Sequence, residues 1–272
     1  MVFLAGSLIL MIAAAHPVRA ALEVSPVVVE AIVPADSSMS GAWSLKNTSD
    51  HALTVTATAI SYVDYARGDR SAPAPPWLRI RPTRIDLPAG AESAVSWTIH
   101  LPLHARGESL ALVFFEEKKL SRGNPMIGRI GTALYALAAG SALPSAAIRD
   151  VRVGEDGKGG EFLMLEIVNT GNVHFRPAGT FEVGTDSSPA PRDSEPRAVA
   201  VLVGGGAALP GSSTIFRTTA FPPLADGRHA IHWKLSTGTI DRQAGPVLHG
   251  DTVIEVRRTK QESGLDDSRG SR

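Results

Sequence analysis

Histidines and paired carboxylates are the residues to test first for chemistry, because imidazole and carboxylate groups carry most acid–base and metal chemistry. The eight histidines are His16, His51, His100, His104, His174, His229, His232 and His249. His100 and His104 are four apart, but Pro102 stands between them in a strand-to-loop segment. They share no helix face and are solvent-exposed connection residues by default. His229 and His232 have odd spacing on a strand and so point to opposite faces. Glu116 and Glu117 are followed by Lys118 and Lys119. Adjacent strand residues face opposite ways, so these read as a solvated strand end and not as a paired-carboxylate site. Gly204-Gly205-Gly206 lacks the Lys-Ser/Thr and the helix of a phosphate loop and reads as a hairpin turn. There is no Gly-x-Ser-x-Gly elbow and no His-Glu-x-x-His. With no cysteine, thiol catalysis, disulfides and Cys-based metal sites are excluded together. The expectation is a protein that is not an enzyme, with no metal and no cofactor.

Composition agrees with a binding or structural role. Lys+Arg and Asp+Glu both number 27, so the formal net charge is zero, and nothing calls for a nucleic-acid partner. The 272 residues are 43% hydrophobic and 20% charged, enough for one large or two ordinary globular domains. Residues 1–20 read as a secretory signal. Val2 to Ala15 is almost wholly apolar, and Val18 and Ala20 place small residues before a cut after Ala20, although no Lys or Arg precedes the run. That run is too short to span a bilayer comfortably, and no other segment reads as a transmembrane helix. A periplasmic or secreted protein with no stable membrane insertion follows. The polar stretch 257–272 is expected to be disordered.

The elements that must position any site are strands. Short alternating or β-branched runs are separated by Gly, Pro, Asn and Asp. The spacing predicts strands over Leu22–Glu30, Gly41–Lys46, Leu53–Val63, Trp77–Arg81, Arg84–Leu87, Glu92–His100, Glu108–Lys118 and Ile127–Leu137, with a polar loop over 119–126. A second series covers Ala147–Val153, Glu161–Val168, Thr180–Gly184, Arg197–Val203, Ser212–Thr218, Arg228–Leu235 and Asp251–Val256. Seven strands in this half match an immunoglobulin-like sandwich. The fold class is all-β: two immunoglobulin-like β-sandwich domains, 21–139 and 147–256, joined by a small, flexible linker at 140–146.

Trp77-Leu78-Arg79-Ile80-Arg81-Pro82, Ile85-Asp86-Leu87-Pro88-Ala89-Gly90, Pro102 and Gly107-Glu108 follow one another at a distinctive spacing. Over residues 77–115 this resembles the N-terminal domain of the periplasmic pilus-assembly chaperones, the PapD-like family. Gly41–Ser49 fits that family's second strand and its Asn-x-Ser turn. Val168–Gly179, Leu209–Ser213 and Pro222–Arg228 resemble exported bacterial immunoglobulin-like modules. The resemblance implies a chaperone that binds exported subunits of pili or other surface structures. The family holds a subunit's terminal carboxylate with an Arg on the first strand and a Lys on the last strand of the first domain. Here Leu22–Glu30 has no Arg, and Thr132 stands at the Lys position, with Arg129 three residues earlier.

Ile127–Leu137 is the stretch to which the resemblance assigns partner binding. Ile130, Thr132, Leu134 and Ala136 share one face; Gly131, Ala133, Tyr135 and Leu137 share the other. An edge strand of this kind is a template for a partner's strand. The expected partner-binding residues are Arg129, Ile130, Thr132, Leu134 and Ala136. The alternative is a structural or adhesive immunoglobulin-like surface protein in which this strand is paired internally.

Overall fold

The structure, a computed structural model, describes residues 21–121, 124–185, 198–203, 206–238 and 247–257. The expected signal at 1–20, the tail beyond Arg257, the loop Ser187–Pro196 and Gly204-Gly205 lie outside the described residues. Among the described residues no helix is long and apolar enough to cross a membrane.

The first strand differs from expectation. Leu22–Glu30 is not one strand but two, β1 (Leu22–Ser25) and β2 (Val28–Val33). Pro26 has no N–H to give a ladder, so pairing stops there. On either side of the break the chain joins different sheets. One sheet has the order β1-β3-β7-β5, with β3 Ser38–Asn47, β5 Leu78–Arg81 and β7 Glu92–His100. The other has the order β2-β9-β8-β4-β6, with β4 Leu53–Ser61, β6 Arg84–Leu87, β8 Glu108–Ser121 and β9 Asn124–Ala138. Strands β8 and β9 extend further than their apolar runs, and the expected loop 119–126 shrinks accordingly. Backbone pairing continues past the point where side chains signal a core.

A second correction concerns Tyr62 and Val63, expected to end a strand. They begin a one-turn helix, α1 (Tyr62–Ala66), whose first turn is capped by Ser61 Oγ accepting from Val63 N–H at 3.2 Å. One turn is too short to leave a helical period in the sequence.

Alternation fixes which side of each strand is dry. On β4, Leu53, Val55, Ala57 and Ala59 are buried, and on β7 Val95, Trp97 and Ile99 are buried. Trp43 is fully buried, edge-on to Phe115 at 5.5 Å and tilted against Trp97 at 6.4 Å. Burying rings of this size is the largest apolar gain in this core.

All seven strands expected in the second half are present. They are β10 Ala146–Glu155, β11 Glu161–Asn169, β12 Arg176–Thr185, β13 Ala198–Val203, β14 Ser213–Thr218, β15 Gly227–Gly238 and β16 Val247–Val256. Their order is β10-β11-β14-β13-β12-β15-β16, with β13 paired to both β12 and β14. Leu163, Leu165, Ile167, Phe175, Phe181, Val183, Ile231 and Leu235 form the core. The fold is all-β with immunoglobulin-like sandwiches.

Contacts divide the chain into two compact units. The first holds the described residues through Val29, with Ser40–Ile99 and Ala111–Leu134; the second holds Glu30–Met39, His100–Leu110 and the described residues from Tyr135 onward. Residues 140–146, read from the sequence as a linker, lie within the second unit and are firmly held there. Asn172 Oδ1 accepts from Leu143 N–H at 2.7 Å, Asn172 Nδ2 donates to Ser141 O at 2.9 Å, and Ser141 Oγ accepts from Gly107 N–H at 2.8 Å. Ser145 O accepts from both Thr170 and Gly171 N–H.

Candidate functional site

The geometry of β9 follows from two hydrogen bonds. Ala133 N–H donates to Val27 O at 3.1 Å and Ala139 N–H to Val33 O at 2.9 Å. The bonds advance in the same sense along both strands, so β2 lies parallel to β9. Odd-numbered residues of β9 therefore aim their backbone groups toward β2, and even-numbered ones toward β8. Strand β2 begins at Val28, so β9 before Ala133 has β8 on one side and, among the described residues, no strand on the other. The front of β9 is a sheet edge, while its rear half is covered by β2.

The five expected partner-binding residues divide along the same line. Leu134 and Ala136 are fully buried and Thr132 is 1% exposed, with Thr132 Oγ1 donating to Val113 O at 3.3 Å. Their side chains face the protein's own core. Arg129 is half exposed and Ile130 partly exposed. Arg129 is ion-paired with Glu116 of β8 and lies 4.6 Å over the Phe114 ring. A Cβ on Gly131 would meet that ring at 3.1 Å, so glycine lets Phe114 rest on the β9 backbone.

A cavity of about 500 Å³ opens beside this edge in the first unit, lined in part by Thr58, Ile60, Tyr65, Arg70, Phe114 and Arg129. Arg70 stacks 3.5 Å over the Tyr65 ring, and Tyr65 lies 5.6 Å from Phe114.

The second unit contains a buried polar cluster that sequence reasoning missed. His174 and the Glu108 side chain are each 1% exposed. Glu108 Oε1 lies 2.7 Å from His174 Nδ1, and Oε2 accepts from His174 N–H at 3.0 Å. Arg176 Nη1 donates to Glu30 Oε1 at 2.7 Å, and His174 Nε2 lies 3.1 Å from Arg176 Nη1 and 3.3 Å from Glu30 Oε1. Tyr135 stacks on the imidazole at 4.0 Å. Glu108 and His174 are far apart in the chain, so no spacing signal could have joined them. The cluster ties Glu30, Glu108, Tyr135 and Arg176 together around His174.

The other histidines fall where strand parity places them. His229 is buried, its Nε2 2.7 Å from Ala225 O, whereas His232 lies on the opposite face with Nδ1 2.5 Å from Asp251 Oδ1. Among the described residues no group of three or more His, Asp or Glu is placed to hold a metal ion.

No protein-family model matches the chain. No curated protein matches it either. Solved structures do. The YadV chaperone shares 12% identity at a TM-score of 0.44, covering 86% of this chain and 100% of that one. The Escherichia coli chaperone DraB shares 15% at 0.45, covering 85% and 98%. The class 5 fimbriae chaperone CfaA shares 15% at 0.46, covering 84% and 98%. These three neighbours are chaperones.

Proposed function

We propose that this chain is an exported, chaperone-like protein that binds other exported polypeptides by β-strand addition at the open front of β9. The observation that carries the reading is the backbone of Ile127 and Arg129. Both residues point their N–H and C=O away from β8, on the stretch that β2 does not reach. A partner strand laid there would continue the sheet and pair those groups. Each such bond contributes about 0.5–1.5 kcal/mol net, so apolar contacts must supply the rest of the affinity. Ile130 and the Phe114 face are the accessible ones. Leu134 and Ala136 act by holding the strand, not by touching the partner. The terminal-carboxylate anchor of the resembled family has no counterpart in Leu22–Glu30, and Arg129 is already neutralised by Glu116. In this reading 21–139 and 147–256 are the two sandwich domains, and the protein works in the periplasm or outside the cell without catalysing a reaction.

Two substitutions at one position test this. Arg129→Pro removes an edge N–H without breaking the β8 ladder, while Arg129→Ala removes the charge and keeps the N–H. Both variants and the wild type are used to capture partners from periplasmic extract, with identification by mass spectrometry. The expected result is a small exported β-rich subunit retained by wild type and Arg129→Ala and lost with a folded Arg129→Pro. Equal capture by all three would exclude the β9 edge and favour an adhesive or structural module.

A further inference from the structure

The cavity between α1 and the outer side of β4 carries chemistry that strand addition at β9 does not use. Its charge is unbalanced. Arg129 is ion-paired with Glu116, but Arg70 has no carboxylate within ion-pair distance among the described residues. The neighbouring acid is turned elsewhere: Asp69 Oδ1 accepts from Ser71 Oγ at 2.9 Å and from Ser71 N–H at 3.0 Å. The Ser71 hydroxyl, and then its N–H, hold the Asp69 carboxyl below its usual range, so it stays a committed anion at Ser71. Arg70 is also pre-oriented, because its guanidinium lies flat on the Tyr65 ring.

The same cavity is lined by strand residues beyond the end of a ladder. The β4–β6 ladder ends at Thr56↔Arg84, followed by one further bond from Ala57 N–H to Thr83 O at 2.8 Å. Two residues on, Ala59 aims its N–H and C=O to that same side, where the ladder has ended. Ala59, Thr58 and Arg70 all line the cavity. An extended backbone could pair with Ala59 while a side chain reaches Arg70.

We infer that this cavity is a second peptide-binding site, selective for an extended segment that carries an acidic side chain. The acidic group pairs with Arg70, the backbone bonds to Ala59, and apolar neighbours of the acid rest on Tyr65 and Ile60. The site does not depend on strand addition at β9.

The probe is an acetylated, amidated pentapeptide, Val-Glu-Val-Glu-Val, compared with its Val-Gln-Val-Gln-Val counterpart. Each is titrated into the purified chain while backbone amide shifts are followed by NMR. The inference expects shifts centred on Ala59 and Tyr65, affinity about tenfold weaker for the Gln peptide, and a similar loss on Arg70→Gln, since a hydrogen bond to a charged partner is roughly twice as strong as a neutral one. Ile127→Pro, which removes a β9 edge N–H, is expected to leave this binding in place. Equal affinity for the two peptides would overturn the inference. So would an unaffected Arg70→Gln, or no shift at Ala59 with millimolar peptide. Shifts confined to Ile127–Arg129 would overturn it while supporting the β9 edge.

Discussion

Two asparagines set the same device in each half of the chain. Asn47 Nδ2 donates to His51 O at 2.7 Å, Pro88 O at 2.9 Å and Leu87 O at 3.0 Å, while its Oδ1 accepts from Ser49 N–H at 2.9 Å. Asn169 Nδ2 donates to Ala208 O at 2.8 Å and Val173 O at 2.9 Å, and its Oδ1 accepts from Gly171 N–H at 2.9 Å. Both side chains are fully buried. The turns were legible in Asn47-Thr48-Ser49 and Asn169-Thr170-Gly171, since Asn bonds its own backbone two residues on. The distant carbonyls of Leu87 and Ala208 were not, because a local signal says nothing about what folds over it. Replacing either residue with Ala leaves buried carbonyls without donors and is expected to cost about 2–3 kcal/mol. Urea unfolding of Asn47→Ala and Asn169→Ala measures this, and a change below about 0.5 kcal/mol, the scale of a surface substitution, would contradict it.

At the scale of elements, strand parity was readable and strand environment was not. Ile130, Thr132, Leu134 and Ala136 do share a face of β9, as alternation requires. That this face belongs to the core depends on Phe115 and Trp43, which no reading of β9 alone could supply. Where the edge begins depends on Pro26, which delays β2 until Val28. The segment 140–146 shows the same limit. Its small residues suggest flexibility, yet Asn172, Thr170 and Gly171 tie it down. The close approach needs glycine: a Cβ on Gly171 would stand 2.4 Å from Leu143 O and 2.6 Å from Ser145 N. Gly171→Ala must push this segment away and is expected to destabilise the protein by about 1–3 kcal/mol. A thermal melt shows it as a drop of several degrees; an unchanged midpoint would mean the segment moves freely.

For the whole molecule, strand and turn spacing reached an all-β chain and the seven strands of the second half, which appear in the expected order, while the first sandwich was expected from the resemblance over residues 77–115. The lack of cysteine removed thiol and disulfide chemistry before any element was placed. What stayed hidden were contacts between remote segments, such as Glu108 with His174 and Arg70 with the open side of β4. The central claim is that the front of β9 is a vacant strand position. Amide hydrogen exchange tests it most directly, in the free chain and in the complex captured from periplasmic extract. Ile127 and Arg129 are predicted to exchange quickly when free and to gain at least about tenfold protection in the complex, as amides entering a ladder do. Unchanged exchange at both amides, with protection appearing on another strand, would contradict the account.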